Sequence, residues 1–242
     1  MLIFPTPKLS PLTGSIGYGG GATGLSTHSS TPKYSLFFND EDDYIKNGDW
    51  EGDPSISAFV FAGWVKFVDG PNQCAIIAPS NATGIQLRWT SDTVNRIENT
   101  NSAFLCTSDA TTWSDNTWYH YAASYDGSNK RLYQNGTMIG KQAHTGALAG
   151  QTGDWKMGQN YNGSSHNGFY VHSMLYLKNT VGGMSSDNGF TVPTDSYDPD
   201  NTWSNDRRFL VGMGPTTTTD YGGSSNWTAV GDVTVVNDHP WA

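Results

Sequence analysis

The sequence predicts an all-β protein, an antiparallel β-sandwich with an extended N-terminal arm and an irregular C-terminal extension. Three observations carry this. The 242 residues include 28 Gly, 11 Pro, 9 Trp, 12 Tyr and 10 Phe but only 14% charged side chains, the chemistry of tight turns joining half-buried pleated surfaces. From Tyr34 to about Lys178, short apolar or alternating runs of strand length are separated by clusters of turn residues. No window holds helical spacing long enough to compete. The length suits one large sandwich with appendages, with enough chain to bury a substantial core.

Residues 1–33 carry Pro5, Pro7 and Pro11 and the stretch Gly17-Tyr-Gly-Gly-Gly-Ala-Thr-Gly24, which cannot hold a regular element cheaply. They read as an arm whose apolar tip, Met1-Leu-Ile-Phe4, seeks burial on its own domain or on a neighbouring subunit. Residues 34–178 form the folded core. Tyr34-Ser-Leu-Phe-Phe38 is a strand entering the acidic turn Asn39-Asp-Glu-Asp-Asp43. The run Ile56 to Phe67 is apolar on both faces, as a central strand covered by a second sheet should be. Ile85, Leu87 and Trp89 alternate with Gln86 and Arg88, which predicts a strand with one wet face.

Trp118 to Tyr125 and Lys130 to Gln134 make a hairpin through Asp126-Gly-Ser-Asn129, where the glycine supplies a left-handed conformation. Asn135-Gly136 turns the chain again into Thr137 to Gly140, and Phe169 to Leu177 is a last long strand. Residues 179–242 are rich in Gly, Ser and Asp, with short strands at Arg207 to Val211 and Gly231 to Val236 before Pro240. They either complete the sandwich or pair with a partner.

Composition removes several function classes. A formal charge of −9, with 13 basic residues spread along the chain in no cluster larger than a pair, repels phosphate backbones, so nucleic acid is not an expected partner. No run approaches the roughly 18 apolar residues of a membrane span, and residues 1–14 lack a secretory signal pattern, so neither a membrane nor general export is expected. Cys74 and Cys106 form no CxxC pair, and stand either as a disulfide or as two small buried thiols. No histidine has a partner at metal-ligand spacing, and no Gly-x-Ser-x-Gly elbow is present.

The series Trp64-Val-Lys66, Trp118-Tyr-His120, Tyr125-Asp-Gly127, Arg131-Leu-Tyr-Gln-Asn-Gly136 and Met157-Gly158 before Asn167-Gly-Phe169 resembles the laminin-G-like pattern of concanavalin-A-like lectins and glucanases. The resemblance implies a jelly roll. The two tryptophans would then face each other across the sandwich, as determinants of the fold rather than ligand contacts. Glucan-cleaving members of that class need an E-x-D-x-x-E strand to set two carboxylates on one face. Here Glu41-Asp42-Asp43 is contiguous and Glu51 and Glu98 stand alone, so no enzyme is expected.

Asp40, Asp42 and Asp43 offer hard oxygen ligands where several laminin-G-like domains hold Ca²⁺, the alternative being a solvated acidic turn. Sugar binding in this class uses aromatic faces aided by amides at the rim. Trp113, Trp155, Asn160, Tyr161 and Asn162 are the candidates for that platform, the alternative being rings that cap the core. A narrower resemblance, through Ser35-Leu-Phe-Phe-Asn-Asp40 ahead of Gly63-Trp-Val-Lys66, is to laminin-G-like virion proteins of tailed phages. It implies a capsid decoration or fibre component in the virion, partnered by capsid or fibre proteins and by copies of itself. The other reading is a carbohydrate-binding module, extracellular or at a cell surface, that recognises glycans.

Overall fold

The computed structural model describes residues 34–39, 42–47, 53–70, 75–79, 85–91, 94–99, 105–109, 111–146, 148–151, 154–159, 168–195, 197, 207–211, 214–216 and 227–241. The predicted arm, 1–33, lies outside them. Among the described residues there is no helix. The strands are β1 (Ser35–Phe38), β2 (Tyr44–Asn47), β3 (Asp53–Ile56), β4 (Phe59–Phe67), β5 (Ala75–Pro79), β6 (Ile85–Ser91), β7 (Val94–Asn99), β8 (Leu105–Thr107) and β9 (Trp118–Tyr125). They continue as β10 (Asn129–Gln134), β11 (Thr137–Ala143), β12 (Leu148–Gln151), β13 (Trp155–Met157), β14 (Phe169–Lys178), β15 (Arg207–Val211), β16 (Trp227–Val230) and β17 (Thr234–Val236).

A large antiparallel sheet runs β11-β10-β9-β4-β14-β1-β17, with β15 also on β14. A second runs β16-β2-β13-β5-β6-β7-β8, and β12 pairs with β3 as a two-stranded ribbon. The C-terminal strands join both sheets: β15 and β17 extend the large one and β16 the small one. Turn chemistry sets the hairpins. Asp126 Oδ1 accepts the amides of Ser128 and Asn129 at 2.9 and 2.7 Å, and Gly127 has φ +89°. Asn135 and Gly136 both take positive φ, 49° and 77°, as a two-residue hairpin turn demands.

Pleating sorts β4 into two faces. Phe59, Phe61, Val65 and Phe67 enter the core between the sheets, where they meet Ile77, Leu87, Trp89 and Trp155 from the small sheet. Val60, Ala62 and Trp64 point the other way and are equally buried. What covers them is not a second sheet but the chain from Val181 to Tyr197, with Trp241, packed on the outer face of the large sheet. Burying each large apolar side chain here stabilises the fold by roughly 1.5–3 kcal/mol. The covering segment is stitched down by polar contacts. Ser124 Oγ donates to the Met184 carbonyl at 2.5 Å, Tyr133 OH to that of Ser186 at 3.1 Å, and Phe190 N to that of Gly136 at 2.9 Å. Arg131, 5% exposed, bridges Asp126 and Asp187.

Three expectations need correction. The predicted strand Ile56 to Phe67 is broken at Ser57 and Ala58, so its first residue closes β3 and the rest is β4. The face of β6 expected to be wet is not wet at Gln86, which is 1% exposed. Trp64 and Trp118 do not face each other across the sandwich. Strands β4 and β9 are hydrogen-bonded neighbours, with Trp64 opposite His120 and Lys66 opposite Trp118, so both indoles lie on the outer side of one sheet.

Along β14 the alternation survives a bulge. Val171 faces the core and His172 the outside; Ser173 then takes φ 50°, and Met174 returns to the core. Facing this bulge, Gly63 leaves no room for a side chain, since a Cβ there would lie 2.9 Å from Met174 Cα.

Candidate functional site

Three tryptophans and a histidine converge on the outer face of the large sheet. Alternation brings Trp64 from β4 and Trp118 and His120 from β9 to the same side. The β10–β11 turn adds Asn135, whose Oδ1 accepts the His120 amide at 2.9 Å while its own amide donates to the His120 carbonyl at 2.8 Å. Val192, Pro193 and Thr194 of the covering segment and Pro240 and Trp241 of the tail form the opposite wall. Together they enclose a cleft of about 310 Å³, at the small end for ligand sites.

The tail is held in place by charge. Asp238 forms an ion pair with Lys66 and accepts the Trp118 indole N–H at 3.1 Å, and the Ser35 hydroxyl donates to its carbonyl. The Lys66 ammonium lies 4.2 Å from the Tyr170 ring centroid and 5.3 Å from that of Trp118. Burial opposes the charge on Asp238, but Lys66 and Trp118 outweigh it and hold the carboxyl below the ordinary carboxylate range. Trp241 then packs edge-on to Trp64, centroids 5.0 Å apart.

His120 is 1% exposed and lies edge-on to Trp64 at 4.8 Å. Its Nε2 is 2.6 Å from the Tyr197 hydroxyl, and its Nδ1 is buried with no partner. Burial pushes its pKa down to about 3, so the ring is neutral at physiological pH.

The expected sites fall elsewhere. Trp155 is 0% exposed, because β13 lies inside the small sheet and alternation turns its side chain inward against Phe61 and Tyr176, 5.3 and 5.4 Å between centroids. As a sugar platform it is corrected to a core residue. Trp113 is half-buried at the rim, edge-on to Phe67 and Trp89, and its Nε1 donates to Thr111 Oγ1 at 2.9 Å. Asn160, Tyr161 and Asn162 lie outside the described residues.

Among the calcium candidates, Asp40 lies outside the described residues and Asp42 is exposed. Asp43 is 1% exposed, with Oδ2 accepting the Asn39 amide at 2.8 Å and Oδ1 that of Asp232 at 2.5 Å. Its carboxylate therefore ties the β1–β2 turn to the β16–β17 turn. Among the described residues no cluster of three or more His, Cys, Asp or Glu has metal-binding geometry. Cys106 is a free thiol, pushed up to about 11 by burial.

The cleft residues Trp64, Trp118 and His120 were legible as a pattern but expected only as fold determinants. The spacing of Trp118 and His120 puts both on one strand face; their union with Trp64, Asn135 and Trp241 needs the strand pairing.

The family profile described as the concanavalin A-like lectin/glucanases superfamily matches residues 39–176, more than half of the chain. No curated protein sequence matches. Among solved structures, the chain is similar to a candidate carbohydrate-binding protein from Bacteroides ovatus (TM-score 0.61, 16% identity). The match covers 85% of this chain and 60% of the Bacteroides chain. It is also similar to a heptameric SAP-like pentraxin from Limulus polyphemus (TM-score 0.56, 13% identity), over 87% of this chain and 98% of that one. At these identities the likeness is one of fold, and neither protein is described as a virion component.

Proposed function

We propose that this chain, which belongs to the concanavalin A-like lectin/glucanases superfamily, is a non-catalytic glycan-binding jelly roll that binds in the outer-face cleft. One observation carries the reading: half-buried Trp118 and Trp241 stand beside Asn135 and Thr194 in one concave site. Aromatic faces stack on the apolar faces of pyranose rings, while amide and hydroxyl groups meet sugar hydroxyls. Glycoside hydrolysis needs two carboxyl groups flanking the bond. Among the described residues no Asp or Glu lines this cleft, which supports binding without cleavage.

The virion role gains no support from the cleft or from either similar structure, and the proposal does not rest on it. Calcium remains a separate proposal at the Asp40–Asp43 turn, apart from the cleft.

A glycan array, repeated with Ca²⁺ and with chelator, tests the reading on the full chain. Binding is expected in both conditions, and Trp118→Ala is expected to weaken the best ligand by up to about tenfold, in line with the ~0.5–1.5 kcal/mol that an aromatic contact contributes. An array without hits, or a Trp118→Ala protein that binds as well as the parent, would remove the cleft from consideration.

A further inference from the structure

We propose that residues 237–241 form a strap that opens to admit a ligand to the outer-face cleft and closes to hold it, with Asp238 as the latch. This rests on the glycan-binding reading above and adds the regulation of that same site.

The strap has a fixed root. Strand β17 is pinned to β1, with Ser35 opposite Val236 and Phe37 opposite Thr234. The chain leaves the sheet edge at Asn237, which is exposed, and crosses the outer face with Asp238 to Trp241 all half-buried. Asp238 stops over β4 and β9, where one carboxylate oxygen pairs with Lys66 and the other accepts the Trp118 indole N–H at 3.1 Å. Trp241 comes to rest edge-on against Trp64 and His172, with centroids 5.0 and 5.4 Å apart.

The two late walls of the cleft are fastened differently. The segment from Val181 to Tyr197 is tied to the sheet through its own main chain: Phe190 N donates to the Gly136 carbonyl and Tyr197 N to Ser173 Oγ, each at 2.9 Å. The strap is tied through side chains. Its ion pair is 35% exposed on the Asp238 side and 10% on the Lys66 side, and solvent and salt weaken such a pair. Its ring contacts supply area without a fixed hydrogen-bond geometry. The bond from Trp241 N to His239 Nδ1, 3.2 Å, lies within the strap and travels with it. A wall held by a partly solvated ion pair opens before one held by main-chain hydrogen bonds.

Trp118 makes the latch part of the site. Its ring lines the cleft while its N–H is held by Asp238, so one carboxylate both closes the strap and orients a contact ring. Release bares Trp64, which is 3% exposed with the strap down. A sugar seated between Trp118 and Trp241 touches sheet and strap together, and its preference for the closed form draws the strap shut. Asp238 is thus a positioning residue, acting through Trp118 and Trp241.

The Trp118 indole N–H reports the latch without any ligand. Its exchange with water is followed by NMR on the full chain, the signal being assigned with Trp118→Phe. Asp238→Ala is expected to speed that exchange about tenfold, and Asp238→Asn, which keeps an acceptor oxygen but loses the charge, is expected to fall between. The oligosaccharide best retained on the glycan array is then added. It is expected to slow the exchange in wild-type protein, and Asp238→Ala is expected to bind it about fivefold more weakly, chiefly through faster release. A merely structural role would lower the melting temperature without making the indole exchange depend on the sugar. Melting curves establish that each variant folds, and Asp238→Asn with the wild-type protein carries the test if Asp238→Ala does not.

Unchanged indole exchange in the Asp238 variants would overturn the latch. Faster exchange with undiminished or tighter binding, or an exchange rate that the oligosaccharide leaves alone, would overturn the gating while leaving glycan binding intact. Failure of every glycan to bind would instead sink the functional reading beneath it, and the gating with it, whatever the indole shows.

Discussion

Asp43 shows how one carboxylate can act as a fastener between distant turns. Its two oxygens satisfy the amides of Asn39 and Asp232. The bond to Asp232 spans 189 residues, so no local pattern discloses it, and a run of acids reads equally as a cation site. Asp43→Ala should remove the charged acceptor of both amides and cost ~1–3 kcal/mol, seen as a lower urea midpoint with an unchanged slope; an unaltered midpoint would contradict the assignment. His120 makes a pH prediction. Its folded pKa, about 3, lies below the ordinary 6.5, so its contribution to stability is complete above pH 6.5. It is lost progressively as acid protonates the unfolded ring first, over the window from 6.5 down to about 3, at ~1.4 kcal/mol per pH unit at most. The melting temperature of His120→Gln should therefore fall less steeply with acid than that of the parent, and parallel curves would refute this.

Strands and turns were the most legible level. The Asp126–Asn129 hairpin and the Asn135-Gly136 turn follow from residue chemistry alone, because only a few side chains tolerate positive φ. Trp155 was not legible: nothing in Asp154-Trp-Lys-Met says that its strand is interior, and a loop aromatic and a core aromatic look alike until the neighbours are known. The bulge at Ser173 was also hidden, since it exists to keep Val171 and Met174 on the same face. Its partner makes a sharp test. Gly63→Ala would force Cβ against the β14 backbone at Met174, where neither side can yield without moving a strand. A loss of ~1–3 kcal/mol by thermal or denaturant unfolding is expected, and a neutral result would mean that the bulge relaxes freely.

At the level of the whole molecule, composition and alternation were enough to place two sheets around an aromatic core. They were not enough to show that a third layer, residues 181–197 with Trp241, lies on the back of the large sheet. That layer depends on pairings between distant parts of the chain: β17 lies beside β1, and Asp238 reaches Lys66. The cleft has one wall of sheet and one of this late chain. During synthesis the sheet strands therefore come first, and Val60, Ala62 and Trp64 stay uncovered until residues 181–197 and then Trp241 have followed. A chain lacking the covering layer would present an apolar face where the complete one has a cleft.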